Sequence, residues 1–486
     1  MVAGILHEID VWLSQIDPRS ATAVSESHAA PDGSSNHYQY DTLNRLTTLT
    51  NSLTGQFGFG YDALSRRTQL TRPNGVNTNY AYDSVSHLLS VLHQAGSTTL
   101  DGAGYGYDFA GNRTSKANYL NGITSNYGYD AIYELQQVTQ GGSTTESYSY
   151  DAVGNRLSSL GMNPYSYNSS NELTSNSSGS YTYDANGNTL SDPSGKSYTW
   201  DFENRLTHAV NPGVGTTTFK YDPFGRRIQK ISPSFTSVFV YDGSNLIETL
   251  NASGAEVASY TQTRTIDETL AELRSGTTDY YEADGLGSTT SLSASSGTLG
   301  NTYAYDSFGN LTASTGTVRN YFQYTGREFD PETGIYEYRA RYFDPSSGRF
   351  LSEDPLKFGA GVDFYAYVKN RPLNYKDPLG LSGICWSCIA DTAKSAWDKT
   401  KDAADNATAL FQCYLCIVTS IGNTQSRAGA PLFNNGDLSM QGTDYPGAPS
   451  ASMGYMEARK SCTQNTNCPE CAKAGISTAV GGMTGQ

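Results

Sequence analysis

The residues whose types and spacing suggest chemistry fall at the C-terminal end of the chain. All seven cysteines lie there: Cys385-x-x-Cys388, Cys413-x-x-Cys416, and Cys462 with Cys468-x-x-Cys471. Paired C-x-x-C units at this separation suit a four-cysteine zinc site, because four thiolates complete a tetrahedral shell. They also suit disulfides. The stretch "ICWSCIADTAKSAWDKTKDAADNATALFQCYLCIVTS" reads as helical, with a helix expected near Ala390 to Thr419, and cysteines three apart share a helix face. A fold-back near Thr400 would bring Cys385 to Cys416 and Cys388 to Cys413. A redox C-x-x-C is a third alternative, without the βαβ pattern that usually carries it. All six histidines lie at or before His208, which argues against histidine-dependent nucleases and hydrolases in the tail alone. Just upstream, Asp354-Pro355 and Asp377-Pro378 are two of seven Asp-Pro pairs, the others starting at Asp17, Asp192, Asp222, Asp330 and Asp344. On its own an Asp-Pro pair opens a turn.

The elements that must position these residues repeat. "YQYDTLNRLTTL", "FGYDALSRRTQL", "YGYDFAGNRTSK", "YSYDAVGNRLSS", "FKYDPFGRRIQK" and "YAYDSFGNLTAS" are copies of one unit. The Asp, or Asn168 in its place, falls at 41, 62, 83, 108, 130, 151, 168, 184, 201, 222, 242 and 306, and degenerate units near Tyr260 and Tyr281 are expected to fill the last gap. Tyr-x-Tyr puts both rings on one face of a strand. The Asp then opens a turn by bonding backbone two residues on, and the Gly or Asn three residues on accepts left-handed geometry. The Arg-Leu that follows begins the return strand. Each unit is thus a hairpin that buries its aromatic face only by stacking on the next, giving ladders of tyrosine and arginine.

Composition agrees: 36 Tyr and 49 Gly in 486 residues favour strands and turns. Net charge is −15; seven Lys/Arg against eight Asp/Glu from residue 382 onward put −1 in the tail and −14 upstream. An acidic body argues against nucleic-acid binding by the repeats. No apolar run approaches the roughly 18–20 residues of a membrane span. The N-terminal residues carry no basic leader, so secretion or surface display is expected by a route without a recognisable signal peptide, or as a fragment of a longer exported protein.

This pattern resembles the RHS/YD-repeat family, which includes bacterial Rhs polymorphic toxins, the C-subunits of Tc insecticidal toxins and teneurins. The likeness is most specific in "YYEADGLGSTTSL", "YFQYTGREFDPETGIYEYRARYFDPSSGRFLSEDPLKF" and "FYAYVKNRPLNYKDPLGL". The resemblance implies a mainly β fold, a hairpin sheet spiralling into a hollow shell, followed by a small, cysteine-rich, partly helical C-terminal domain. It divides the chain into an N-terminal segment (1–35), repeats (36–278), an associated core (279–381) and a variable tail (382–486). It further implies an aspartyl autoprotease using Asp354 and Asp377, cutting between Leu381 and Ser382. Two carboxylates suit that work, because like charges held close raise one pKa and leave an acid beside a base. Gly380 lets the backbone beside the cut bend toward the pair. Arg349 and Arg371 are candidates for holding a carboxylate ionised. One departure stands out: Lys357 replaces the Gly of many relatives, and its charge is expected to favour an ionised Asp354.

Two functions follow. The first is a polymorphic toxin, whose shell encloses its own C-terminal segment as an effector and whose partners are an immunity protein and secretion machinery. The second is a surface adhesion protein whose tyrosines bind carbohydrate. No cofactor is expected for the shell, and zinc only in the tail.

Overall fold

The computed structural model describes residues 25–29, 33–359 and 361–381. Ser382 and all seven cysteines lie outside them, as do the expected tail helix and the zinc or disulfide sites. The described residues form one ribbon of antiparallel β-hairpins and a compact core segment.

The ribbon is a meander in which each strand pairs with the next: thirteen strands over 25–159, three over 166–180 and fourteen over 182–315. It takes in a strand ahead of the first repeat, Ser25–Ala29, paired with Ser35–Tyr40. Alternate turns of a meander fall on opposite edges, so the Tyr-Asp corners all share one edge.

The corner at Asp222 shows why the repeat folds as it does. Its Oδ1 accepts the amides of Phe224 (2.8 Å) and Arg226 (3.0 Å), and its Oδ2 accepts Arg226 Nε (2.7 Å). Gly225 sits between them at φ +83°, open to glycine without strain. The preceding tyrosine then locks one repeat to the last. Tyr221 donates its hydroxyl to the Leu206 carbonyl (2.7 Å), and Arg205 lies over the Tyr221 ring at 5.3 Å. Tyr61, Tyr107, Tyr150 and Tyr305 make the same bond to the carbonyls of Leu46, Leu88, Leu135 and Thr289. The tyrosine and arginine ladders expected from the repeat are therefore present.

Two corners differ from expectation. Asp242 closes a two-residue turn, pairing directly with Asn245, because Gly243-Ser244 leaves no room for the longer corner. Asp284 makes a full corner, accepting the amides of Leu286 and Ser288, although Ala283 stands where the repeat has tyrosine. The expected degenerate units are strands Glu256–Gln262, Thr269–Arg274, Thr277–Ala283 and Thr289–Ala294.

The ribbon winds back on itself. Tyr38 donates to the Gln262 carbonyl, Thr54 bonds Thr261, Arg72 donates to the Tyr281 carbonyl, and Tyr280 donates to the Thr54 carbonyl. These bonds span 207 to 226 residues, the length of one turn of the spiral. Leu49, Phe57, Leu70, Leu270 and Ala271 are sealed in the seam they cross.

The core segment seats against successive corners. Its four-stranded sheet is Glu328–Asp330, Ile335–Tyr338, Arg341–Asp344 and Arg349–Phe350. Tyr336, Tyr338, Phe343, Phe350 and Tyr367 form its centre, each 2% exposed or less; each such ring contributes roughly 1.5–3 kcal/mol by burial. Charged anchors fix it to the wall. Arg227 binds Asp330 and Glu328, while Lys230 binds Asp330 (2.7 Å) and Glu332 (3.0 Å), all buried. Asn370, Arg371 and Asn374 reach the corners at Glu134, Gly154 and Asn112.

Candidate active site

Asp354 and Asp377 are 1% and 2% exposed and converge on one cation, Arg341. Arg341 Nη2 donates to Asp377 Oδ2 at 3.2 Å; it lies 2.8 Å from Asp354 Oδ2 but is not aligned to donate to it. The rest of the guanidinium is fixed. Nε donates to the Gly380 carbonyl (2.6 Å), Nη1 to the Phe364 carbonyl (3.0 Å), and the plane lies 3.5 Å over the Phe350 ring. Arg341 opens its strand after a two-residue turn in which Arg339 has φ +56°, and that turn packs directly on the chain at 378–380.

Both aspartates sit in turns built like the wall corners, with one part missing. Asp354 Oδ1 accepts the Leu356 amide (2.8 Å), and Lys357 three residues on is left-handed at φ +50°. Asp377 Oδ1 accepts the Leu381 amide (3.0 Å), and Gly380 three residues on has φ +65°. In nine wall corners the side chain four residues on is Arg, His or Asn and binds Oδ2. Here those positions hold Phe358 and Leu381, which donate nothing from their side chains, and the two Oδ2 atoms turn to Arg341 instead.

Burial pushes the Asp354 carboxyl up from its ordinary range and Asp377 adds to this, against the pull of Arg341 and the Leu356 amide. Lys357 does favour the ionised form of Asp354, as expected, but its side chain is over half exposed and pairs with Glu353, and burial outweighs its pull.

Gly380 is required where it stands, since a Cβ there would meet the Tyr338 carbonyl oxygen at 2.1 Å. The two arginines picked from sequence lie elsewhere. Arg349 makes a bidentate pair with Asp363 (3.0 Å to each oxygen) and donates to the Asn171 carbonyl. Arg371 donates to Asn112 and stacks on Tyr375. Sequence reasoning missed Arg341, although the requirement for one cation to compensate two buried acids could have directed the search to it.

The teneurin YD-shell family model matches residues 102–370, more than half of the chain, and an RHS repeat model matches 40–78. Among curated proteins, the tRNA3(Ser)-specific nuclease WapA of Bacillus spizizenii is 33% identical over 172 residues, 34% of this chain and 7% of that protein. The double-stranded DNA deaminase toxin A of Burkholderia cenocepacia is 27% identical over 202 residues, 35% of this chain and 14% of that protein. Among solved structures, a Tc holotoxin pore of Photorhabdus luminescens matches with a TM-score of 0.64 at 21% identity, over 77% of this chain and 22% of the other. The chain thus spans only a small part of the length of the proteins it matches.

Proposed function

The chain belongs to the teneurin YD-shell family, and on that premise we propose that it is the shell-and-core portion of an exported toxin that cuts itself after Leu381 and frees residues 382–486 as its effector. The carrying observation is the pair of buried carboxylates on one guanidinium, with the Leu381 amide already bonded to one of them. The names of the matched relatives, nuclease and deaminase toxin, support the toxin reading.

Cleavage consumes one water. Asp377 takes a proton from that water as its oxygen adds to the Leu381 carbonyl carbon, while Asp354 gives its proton to the carbonyl oxygen. On collapse the carbonyl reforms and returns its proton to Asp354. Asp377 passes the other proton to the Ser382 nitrogen, and the C–N bond breaks. Arg341 stabilises the negative charge of the pair throughout.

Intact-mass analysis of the purified protein tests this. The expected result is two fragments, 1–381 and 382–486, formed at a rate independent of protein concentration, and a single chain in Asp354→Asn and Asp377→Asn. A folded wild-type protein that stays one chain overturns it. An immunity protein and an export machine are the partners this reading requires. The alternative, carbohydrate binding by an adhesion protein, has less support, because the corner tyrosines direct their hydroxyls to neighbouring backbone.

A further inference from the structure

The chain leading to Leu381 is held carbonyl by carbonyl. Arg339 Nη1 donates to the Pro378 carbonyl, the Ala340 amide to the Leu379 carbonyl (3.2 Å), and Arg341 Nε to the Gly380 carbonyl (2.6 Å). Three consecutive residues of one turn thus bind three consecutive carbonyls, in the same order. The Leu381 amide is held in its own turn by Asp377 Oδ1 (3.0 Å). The next carbonyl in line is that of Leu381. None of these bonds uses a side chain of residues 378–381. Leu379 and Leu381 are only half-buried, so neither is sealed in a pocket that could read it.

Arg339 is the unusual member of the turn. It stands at φ +56° in the two-residue connection between strands Ile335–Tyr338 and Arg341–Asp344, where glycine or asparagine would sit with less strain. A residue kept in a strained place points to a use for its side chain. Besides gripping Pro378, its Nη2 donates to the Ser244 carbonyl (3.1 Å) and to Asp267 Oδ1 (2.7 Å), in ribbon loops 95 and 72 residues away in sequence. Asp267 is itself fixed. Its Oδ1 also accepts Arg327 Nη1 (2.5 Å), and a Cβ on Gly326 would meet its carbonyl oxygen at 2.5 Å. Burial opposes its charge, but Arg327 and Arg339 hold its carboxyl below the ordinary range. One guanidinium therefore ties the chain ahead of the cut to the wall.

We propose that residues 339–341 are a backbone ruler, which selects the cleaved bond by its distance from Asp377 and not by the side chains beside it, with Arg339 as the positioning residue that anchors the ruler to Asp267. This rests on the self-cleavage reading and adds to it what chooses the bond. Main-chain hydrogen bonds are the same for every sequence, so they fix register without reading residue identity. A slip by one residue breaks the three carbonyl bonds and the Leu381 amide bond together. It also brings a leucine Cβ to the place of Gly380, where a Cβ meets the Tyr338 carbonyl oxygen at 2.1 Å. Only the Leu381 carbonyl is then presented to the two aspartates.

The test moves the leucine without moving the ruler. In the full chain carrying Leu381→Ser together with Ser382→Leu, intact-mass analysis locates the cut. The expected cut stays after position 381. A cut after position 382, following the leucine, overturns the ruler, while a folded wild-type chain that stays whole overturns the self-cleavage reading and the ruler with it. Arg339→Met is the second arm. Its cleavage is expected to slow by roughly tenfold, with fragments ending at 380 or 382 appearing beside those ending at 381. That loss of register is a change that a merely structural defect would not produce. Arg339→Lys, which keeps a donor for Pro378, is expected to restore the single cut. Fragments ending only at 381 in Arg339→Met, at whatever rate, overturn the part given to Arg339. Should Arg339→Met fail to fold or to cleave, Asp267→Asn, which loosens Arg339 and leaves it in place, is read in the same way.

Discussion

The wall corner at Asp222 and the core turn at Asp354 begin alike and end in opposite chemistry. Each aspartate accepts the amide two residues on, and each turn passes through a left-handed residue one step later. At Asp222 burial is slight, and Arg226 with the two turn amides holds the carboxyl below its ordinary range. At Asp354 burial dominates, no side-chain donor follows in the turn, and the carboxyl is pushed up despite the Leu356 amide. The difference lies in one side chain and in depth. The same motif holds its carboxyl down when half-buried and paired with its own arginine, and lets it rise when buried and left to share a cation from elsewhere in the core segment.

The most forceful way to break this comparison is to remove the shared cation. Arg341→Met, which keeps much of the volume, leaves two buried acids without a counter-charge, and one must then stay neutral. The expected outcome is at least a hundredfold loss of cleavage after Leu381, followed by mass spectrometry over time. Gly380→Ala comes next. It drives a Cβ into the Tyr338 carbonyl and forces a left-handed alanine, and should cost about 2–4 kcal/mol in denaturant unfolding while abolishing cleavage.

Phe358→Arg sharpens the comparison by restoring the missing donor. Phe358 is 72% exposed, so the fold should tolerate the change. An arginine four residues after Asp354 can bind it as Arg226 binds Asp222, lowering its proton affinity. Cleavage should slow about tenfold near neutral pH, and its optimum should move toward acid, since a site that holds its proton less tightly fills only at lower pH. A rate and optimum equal to wild type would mean that the missing donor is irrelevant. In the wall, Asp222→Ala removes the acceptor of two amides and should cost about 1–2 kcal/mol without altering cleavage.

The corner is readable in the sequence because all its bonds close within five residues, so Asp, left-handed residue and return Arg appear together in the text. Asp284 escapes that reading because Ala283 replaces the marker tyrosine, and Asp242 enters it because that marker is present although the turn is shorter. Asp354 and Asp377 are reached through resemblance. Nothing local distinguishes them from the other Asp-Pro pairs, because what does, burial and the loss of a donor, depends on the core segment being packed. Arg341 lies thirteen residues before Asp354 on another strand, and only the folded core brings it near. The winding of the ribbon is likewise set by contacts across more than 200 residues, such as Thr54 with Thr261.

The smallest effect concerns Lys357, the residue that departs from the family pattern. It occupies φ +50°, where a side chain costs roughly 1–2 kcal/mol that glycine avoids. Glycine gives part of that back through the greater freedom of the unfolded chain, about 0.5–1 kcal/mol. The surface pair with Glu353 adds little, because exposed ion pairs are worth at most about 1 kcal/mol. Lys357→Gly should therefore raise stability by about 0.5 kcal/mol, a shift resolvable in paired denaturant melts. Its effect on cleavage separates backbone from charge. The lysine is the weakest of the five influences on Asp354, behind burial, Arg341, the Leu356 amide and Asp377. Removing it should leave the rate within about twofold, whereas a tenfold change would show that its charge, rather than burial, governs the acid.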